Sequence, residues 1–174
     1  YKTGAIDSSA PLYYMGLKLQ LPIYLWASAS GRRAGGAYNF PAGVVYESKR
    51  DGVLRLSGYM AGSEDVVRST QTTLQDKQKS SYVEAYLNGS AVDSAMSRED
   101  FADFLLYSNL VARRGAAEMT AGNVDPSPAA DACAYCKLSG SCGFAVGTDG
   151  DERQKFSVTC KGIAAIVRKE RGEE

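Results

Sequence analysis

Gly16-Leu17-Lys18-Leu19-Gln20-Leu21-Pro22-Ile23-Tyr24-Leu25 lies inside the apolar stretch whose spacing decides the fold. From Leu12 to about Ala29 apolar residues recur at helical intervals with few charges, and Leu12, Met15, Leu19, Ile23 and Trp26 fall on one side. That period predicts a helix with one face on a core, started by Pro11. Pro22 has no amide hydrogen, which predicts a kink or a loosened turn near Lys18. Gln20 and Tyr24 are four residues apart, so both project from one helical face towards a common target. The alternative role for Tyr24 is packing of its ring on the sheet.

Working outward, Gly31 to Gly36 reads as a breaker carrying two arginines. Ala42 to Tyr46 reads as a buried strand, and Asp51-Gly52 turns it into a weaker partner at Val53 to Leu56. Ser63 can cap a helix through Val66, Val67, Thr70 and Leu74. Gln75 to Ser81 is polar, and Tyr82 to Leu87, Asn88-Gly89 and Ser90 to Val92 give a hairpin signal. Ser97-Arg98-Glu99-Asp100 begins a long helix in the manner of a capping box. Phe101, Phe104, Leu105, Val111, Ala112 and Met119 fall on or near its buried face, Gly115 is a candidate interruption, and Gly122 ends it. Asp125-Pro126-Ser127-Pro128 is then extended. The charged tail after Ile166 is expected to fray.

Composition narrows the chemistry. At 174 residues, 44% of them apolar and 23% charged, the chain fits one medium soluble domain. Lys+Arg and Asp+Glu both total 20, a balance that weighs against bulk positive charge holding it on nucleic acid and leaves local patches open. The absence of histidine excludes a Ser-His-Asp triad, a Cys-His pair and any His-ligated metal built from this chain. No apolar run approaches the ~20 residues of a membrane span. Tyr1-Lys2-Thr3-Gly4 reads as the interior of a longer protein.

Cys133, Cys136 and Cys142 stand within ten residues, while Cys160 stands apart in the apolar-alternating Phe156-Ser157-Val158-Thr159-Cys160. Cys-x2-Cys places two thiolates on one tight turn, and a third six positions on makes a three-point cap for a metal or cluster. Free thiols, or two disulfides in a secreted domain, are the bland alternatives. Cys160 reads as a buried structural cysteine, which leaves the fourth ligand outside the chain.

These motifs together resemble a known family. Tyr1-Lys2-Thr3-Gly4 resembles the end of the Asp-x-Lys element of PD-(D/E)XK nucleases, and Gly16 to Leu25 is similar to the Gln-x3-Tyr helix of their RecB-like branch. With the cysteine triplet, the chain resembles the iron–sulfur nucleases of that branch, namely the AddB subunits of bacterial helicase–nucleases and the small exonucleases of CRISPR adaptation. The long stretch from Tyr24 to Cys133 favours the AddB type. So do Phe40-Pro41-Ala42-Gly43-Val44-Val45-Tyr46, the Gly-containing loop at Ser57-Gly58-Tyr59 with Glu64-Asp65-Val66-Val67, and Gly122 to Pro128.

The resemblance implies the C-terminal portion of a restriction-endonuclease-like α/β domain, a mixed sheet flanked by the Leu12 helix and the Ser97–Ala121 helix. It divides the chain into a partial nuclease domain over 1–128, a cysteine loop over 129–145 and a tail over 146–174. It implies Lys2, Gln20 and Tyr24 as catalytic residues. Lys2 would stabilise developing charge, Gln20 would orient water or a metal ligand, and Tyr24 would hydrogen-bond a phosphate. Mg²⁺ would activate water, held by carboxylates upstream of Tyr1. Cys133, Cys136 and Cys142 would hold a [4Fe–4S] cluster with a fourth upstream thiolate. The implied partners are DNA and an AddA-like helicase subunit, with no membrane, in the cytoplasm. The chain alone would then be inert. Two other readings stand beside this one: a zinc-bearing DNA- or protein-binding module closed by Cys160, and a scaffold whose nuclease motifs have decayed.

Overall fold

Gly43–Arg50 (β1) and Val53–Ala61 (β2) pair antiparallel, with Gly43 opposite Met60 and Tyr46 opposite Ser57. The computed structural model of the chain describes residues 9–31, 41–50, 53–73, 75, 77–78, 95–153 and 157–172. Ala95–Met96 (β3) joins β2 in parallel, so the described sheet is mixed, in the order β1-β2-β3. Val44 and Tyr46 are buried and the intervening Val45 is exposed, the alternation of a half-buried strand. The expected loop at Ser57-Gly58-Tyr59 is instead part of β2. A Cβ at Gly58 would collide with the Val44 carbonyl oxygen, so this glycine serves the close approach of β1 and not a chain break.

The expected single helix over Leu12 to Ala29 is two helices, Ala10–Tyr14 (α1) and Gln20–Gly31 (α2). The break falls at Gly16, in the left-handed region at φ 77°, and the loosened turn near Lys18 lies within it. Pro22 does not kink α2, because it sits in the first turn, where an amide hydrogen has no helical partner anyway. The break also changes the phase. Leu21, Pro22 and Leu25 turn inward, and Trp26, expected on the buried side, is 36% exposed.

Arg98–Thr120 (α4) follows Glu64–Thr70 (α3) and is the backbone of the core. Ser97 Oγ accepts the Asp100 N–H at 3.0 Å, as its capping signature predicts. Phe101, Phe104 and Leu105 are buried with Ser108. Tyr13, Tyr59 and Phe104 meet edge to face or tilted, with ring centroids 5.3–5.4 Å apart. Met119 is not on the buried face but 79% exposed, because α4 outruns the core after Ser108. Gly115 does not interrupt the helix, and Gly122, at φ 79°, ends it.

The tail does not fray after Ile166. Cys160–Glu170 (α6) is a helix whose Ile163, Ala164 and Val167 are buried, capped by Thr159 Oγ1 accepting the Gly162 N–H at 3.0 Å. Arg168 donates to Asp100 at 2.7 Å and Arg171 to the buried Asp103 at 2.8 Å, fixing α6 to α4. The charges expected to solvate the tail are the groups that hold it. Between α4 and α6 the chain forms a 3-10 turn, Ala132–Tyr135, and one short helix, Ser139–Cys142 (α5). The Tyr82–Val92 hairpin, the Asp51-Gly52 turn, Leu74 and most of the Gly31–Gly36 breaker lie outside the described residues.

Candidate functional site

α2 opens on a polar pair. Gln20 Nε2 donates to the Tyr24 hydroxyl at 3.2 Å, one helical turn away, and Tyr24 is 62% exposed. The ring does not pack on the sheet among the described residues; α2 presents it outward while Leu21 and Leu25 anchor the opposite side. With its oxygen accepting from Gln20, the Tyr24 O–H stays available as a donor, and Gln20 Oε1 as an acceptor. The pair can therefore donate to one oxygen and orient a second, water-sized group beside it. Lys2 lies outside the described residues.

Leu19, just before α2, lines an open groove of about 780 Å³ with Tyr14, Tyr107, Val111, Arg114 and Arg153. The Tyr14 and Tyr107 rings stack at 5.7 Å, and the Tyr107 hydroxyl donates to the Tyr14 carbonyl at 3.0 Å. Burial pushes the Tyr107 hydroxyl up to about 12; the neighbouring Tyr14 adds to the shift and Arg114 opposes it. On the other side of the molecule's sequence, Ser63 donates to Asp65, and together with the Arg98 guanidinium it holds that carboxyl below the ordinary range. Ser63 thus precedes α3 as expected but makes no side-chain cap, and its hydroxyl also accepts from Arg98 at 3.2 Å.

The cysteine loop is closed at a neck. The Ala130 N–H donates to Arg153 O at 3.0 Å and the Arg153 N–H to Pro128 O at 2.8 Å, while the Asp131 N–H donates to Glu152 at 3.1 Å. Inside it Cys133 is half-buried, Cys136 and Cys142 are exposed, and all three are free thiols. The Leu138 N–H donates to Cys136 Sγ at 3.4 Å. Burial pushes the Cys133 thiol up, with Glu152 and the other two sulfurs adding to it, so metal capture at Cys133 would release a proton. Cys160 is fully buried at the start of α6, the structural position its sequence suggests.

The donor chemistry suits a thiophilic metal, since three sulfurs share one short loop and one already receives an N–H. The geometry is not closed. Among the described residues no three His, Cys, Asp or Glu side chains gather closely enough to hold a metal ion. Binding would therefore require the loop to tighten and a further ligand to complete it.

Across residues 1–143 the chain matches the family model of the PD-(D/E)XK nuclease superfamily. The chain belongs to that superfamily. The matched segment contains Lys2, Gln20, Tyr24 and all three clustered cysteines. No curated protein matches it as a relative. Membership carries the restriction-endonuclease-like α/β fold and points to cleavage of nucleic-acid phosphodiesters, for which these nucleases usually use Mg²⁺. Bound at a phosphodiester, such an ion polarises the phosphoryl oxygen and acidifies water. No group of three or more His, Cys, Asp or Glu side chains among the described residues stands ready to hold such an ion. Among the described residues no helix is long and apolar enough to cross a membrane.

One structural tie escaped the sequence. Arg153 Nε donates to Ser127 O at 3.0 Å and Nη1 to Met15 O at 3.4 Å, across 138 residues. Asp151-Glu152-Arg153 carries no period or motif that signals such a contact.

Proposed function

We propose that this chain is the nuclease segment of an AddB-like subunit that degrades linear DNA as an exonuclease during double-strand-break repair, beside an AddA-like helicase in the cytoplasm. The observation that carries the proposal is the exposed, hydrogen-bonded Gln20–Tyr24 pair on a helix inside the superfamily match. Tyr24 would donate to a phosphate oxygen, and Gln20 would orient water or a metal ligand. Lys2 would stabilise charge developing in the transition state. The resemblance puts the metal-binding Asp directly before Tyr1, so the assay is made on the chain together with the sequence that precedes it. Cleavage of linear duplex DNA that requires Mg²⁺ and collapses in Lys2→Ala is the expected result. Undiminished cleavage by that variant counts against the assignment of Lys2.

The cysteine loop is proposed to hold three ligands of a [4Fe–4S] cluster, Cys133, Cys136 and Cys142, with the fourth thiolate upstream. Its work would be structural, since metal–thiolate bonds can offset the entropy of closing a long loop. Cys136→Ser should bleach the iron–sulfur absorbance and Cys160→Ser should leave it unchanged. The reverse pattern would transfer the ligand role to Cys160, whereas bound zinc with no iron colour, lost in Cys160→Ser, would favour the zinc-bearing binding module.

A further inference from the structure

We infer that Arg153 is a positioning residue that transmits closure of the cysteine loop to the helix bearing Gln20 and Tyr24; this rests on the reading of the loop as a metal site. Three observations lead there. The cysteines are not gathered, so capturing a metal must draw the loop inward. Residue 153 is also part of the loop's neck, because its backbone N–H and C=O bond Pro128 O and the Ala130 N–H. Finally, its guanidinium leaves the loop altogether: Nε donates to Ser127 O and Nη1 to Met15 O.

Met15 is the C-cap of α1, next to the left-handed Gly16 where the two helices part. Only Leu17, Lys18 and Leu19 then separate Gly16 from Gln20. Gly16 passes close to α4, where an added Cβ would come within 2.9 Å of a Val111 methyl. A pull on the Met15 carbonyl acts on this short connection, which leads directly into α2. Arginine suits this because its planar fork reaches two carbonyls at once, whereas a lysine presents one point charge. In this arrangement a change in the loop reaches the Gln20–Tyr24 face through the Met15 carbonyl.

The chain carries its own reporter, for Trp26 is its one tryptophan, and it lies on α2, 36% exposed. The full chain is titrated with Cd²⁺, following thiolate–Cd²⁺ absorption and Trp26 emission together. In the wild type both signals should change with one midpoint. Arg153→Ala and Arg153→Lys should keep the thiolate–Cd²⁺ absorption and lose more than half of the Trp26 response. Lys169→Ala, on exposed helix surface, should keep both. An undiminished Trp26 response in the Arg153 variants, or thiolate binding in the wild type with no Trp26 response, overturns the inference and leaves the loop a metal site. Absence of thiolate–Cd²⁺ absorption in the wild type overturns the metal reading and the inference with it. Arg153→Lys keeps the test decisive if Arg153→Ala does not fold.

Discussion

The seam between α4 and α6 and the cysteine loop that joins them in sequence are built on opposite plans. In the seam Phe101, Phe104, Ile163, Ala164 and Val167 are buried together, and the surrounding charges are paired across it. In the loop Tyr135 is 88% exposed and Leu138 67%, and the bonds that shape it join residues near in sequence or close its neck. Burial of apolar area stabilises at roughly 25 cal/mol per Å², a source the loop lacks. The seam can thus hold itself, whereas the loop has little beyond backbone turns and three sulfurs. The contrast explains why a thiophilic ligand would matter at one end of this chain and would be superfluous at the other.

The contrast breaks first in the core if it is wrong. Phe104→Ala removes the ring shared by Tyr13, Tyr59 and Phe101 and should cost about 3–5 kcal/mol in denaturant unfolding. A loss under about 1 kcal/mol would mean that the aromatic cluster is not the centre of stability. Asp103→Ala takes the acceptor from Arg171 and an ion-pair partner from Arg168, which keeps Asp100, and should cost about 1.5–3 kcal/mol. The arginines stay partly exposed, which keeps the loss below that of a fully buried pair. Ser97→Ala should cost about 1 kcal/mol by uncapping α4.

Tyr107 gives a smaller effect with a definite sign. Its folded value is raised from 10.0 to about 12, so the neutral phenol is the form that folding favours. The resulting stability is fully present below the ordinary tyrosine value and is lost as pH rises through 10.0 towards about 12. Solvent screening at this half-buried site limits its size. Unfolding midpoints across that window should fall in the wild type and flatten in Tyr107→Phe. Smallest of all is Leu138→Ala in the loop, expected within about 0.5 kcal/mol. A larger loss there would erase the distinction between the two regions.

How much of this was readable in the sequence depends on whether the signal was local. The cap at Ser97 and the buried Phe101, Phe104 and Leu105 were legible because period and capping act within one or two turns. The shared face of Gln20 and Tyr24 was legible from their four-residue spacing. Trp26 was misplaced because the left-handed Gly16 resets the helical phase, which a continuous period cannot register. At Gly58 the deciding fact is the nearness of Val44 on another strand. α6 was hidden by its own charges, since Arg168 and Arg171 look solvated until Asp100 and Asp103 are brought opposite them. The Arg153 contact with Met15 has the same origin: it is a meeting of distant segments with no trace in either one.

The most direct test of the central claim is the rate of Mg²⁺-dependent cleavage of linear duplex DNA by Tyr24→Phe and Gln20→Ala, made in the chain with the sequence that precedes it. Both side chains are exposed on α2, so the variants should fold with unchanged unfolding midpoints. The account predicts that each lowers kcat by at least about tenfold, as loss of a hydrogen-bonding group at a developing charge does. Folded variants that cleave at the wild-type rate would contradict it.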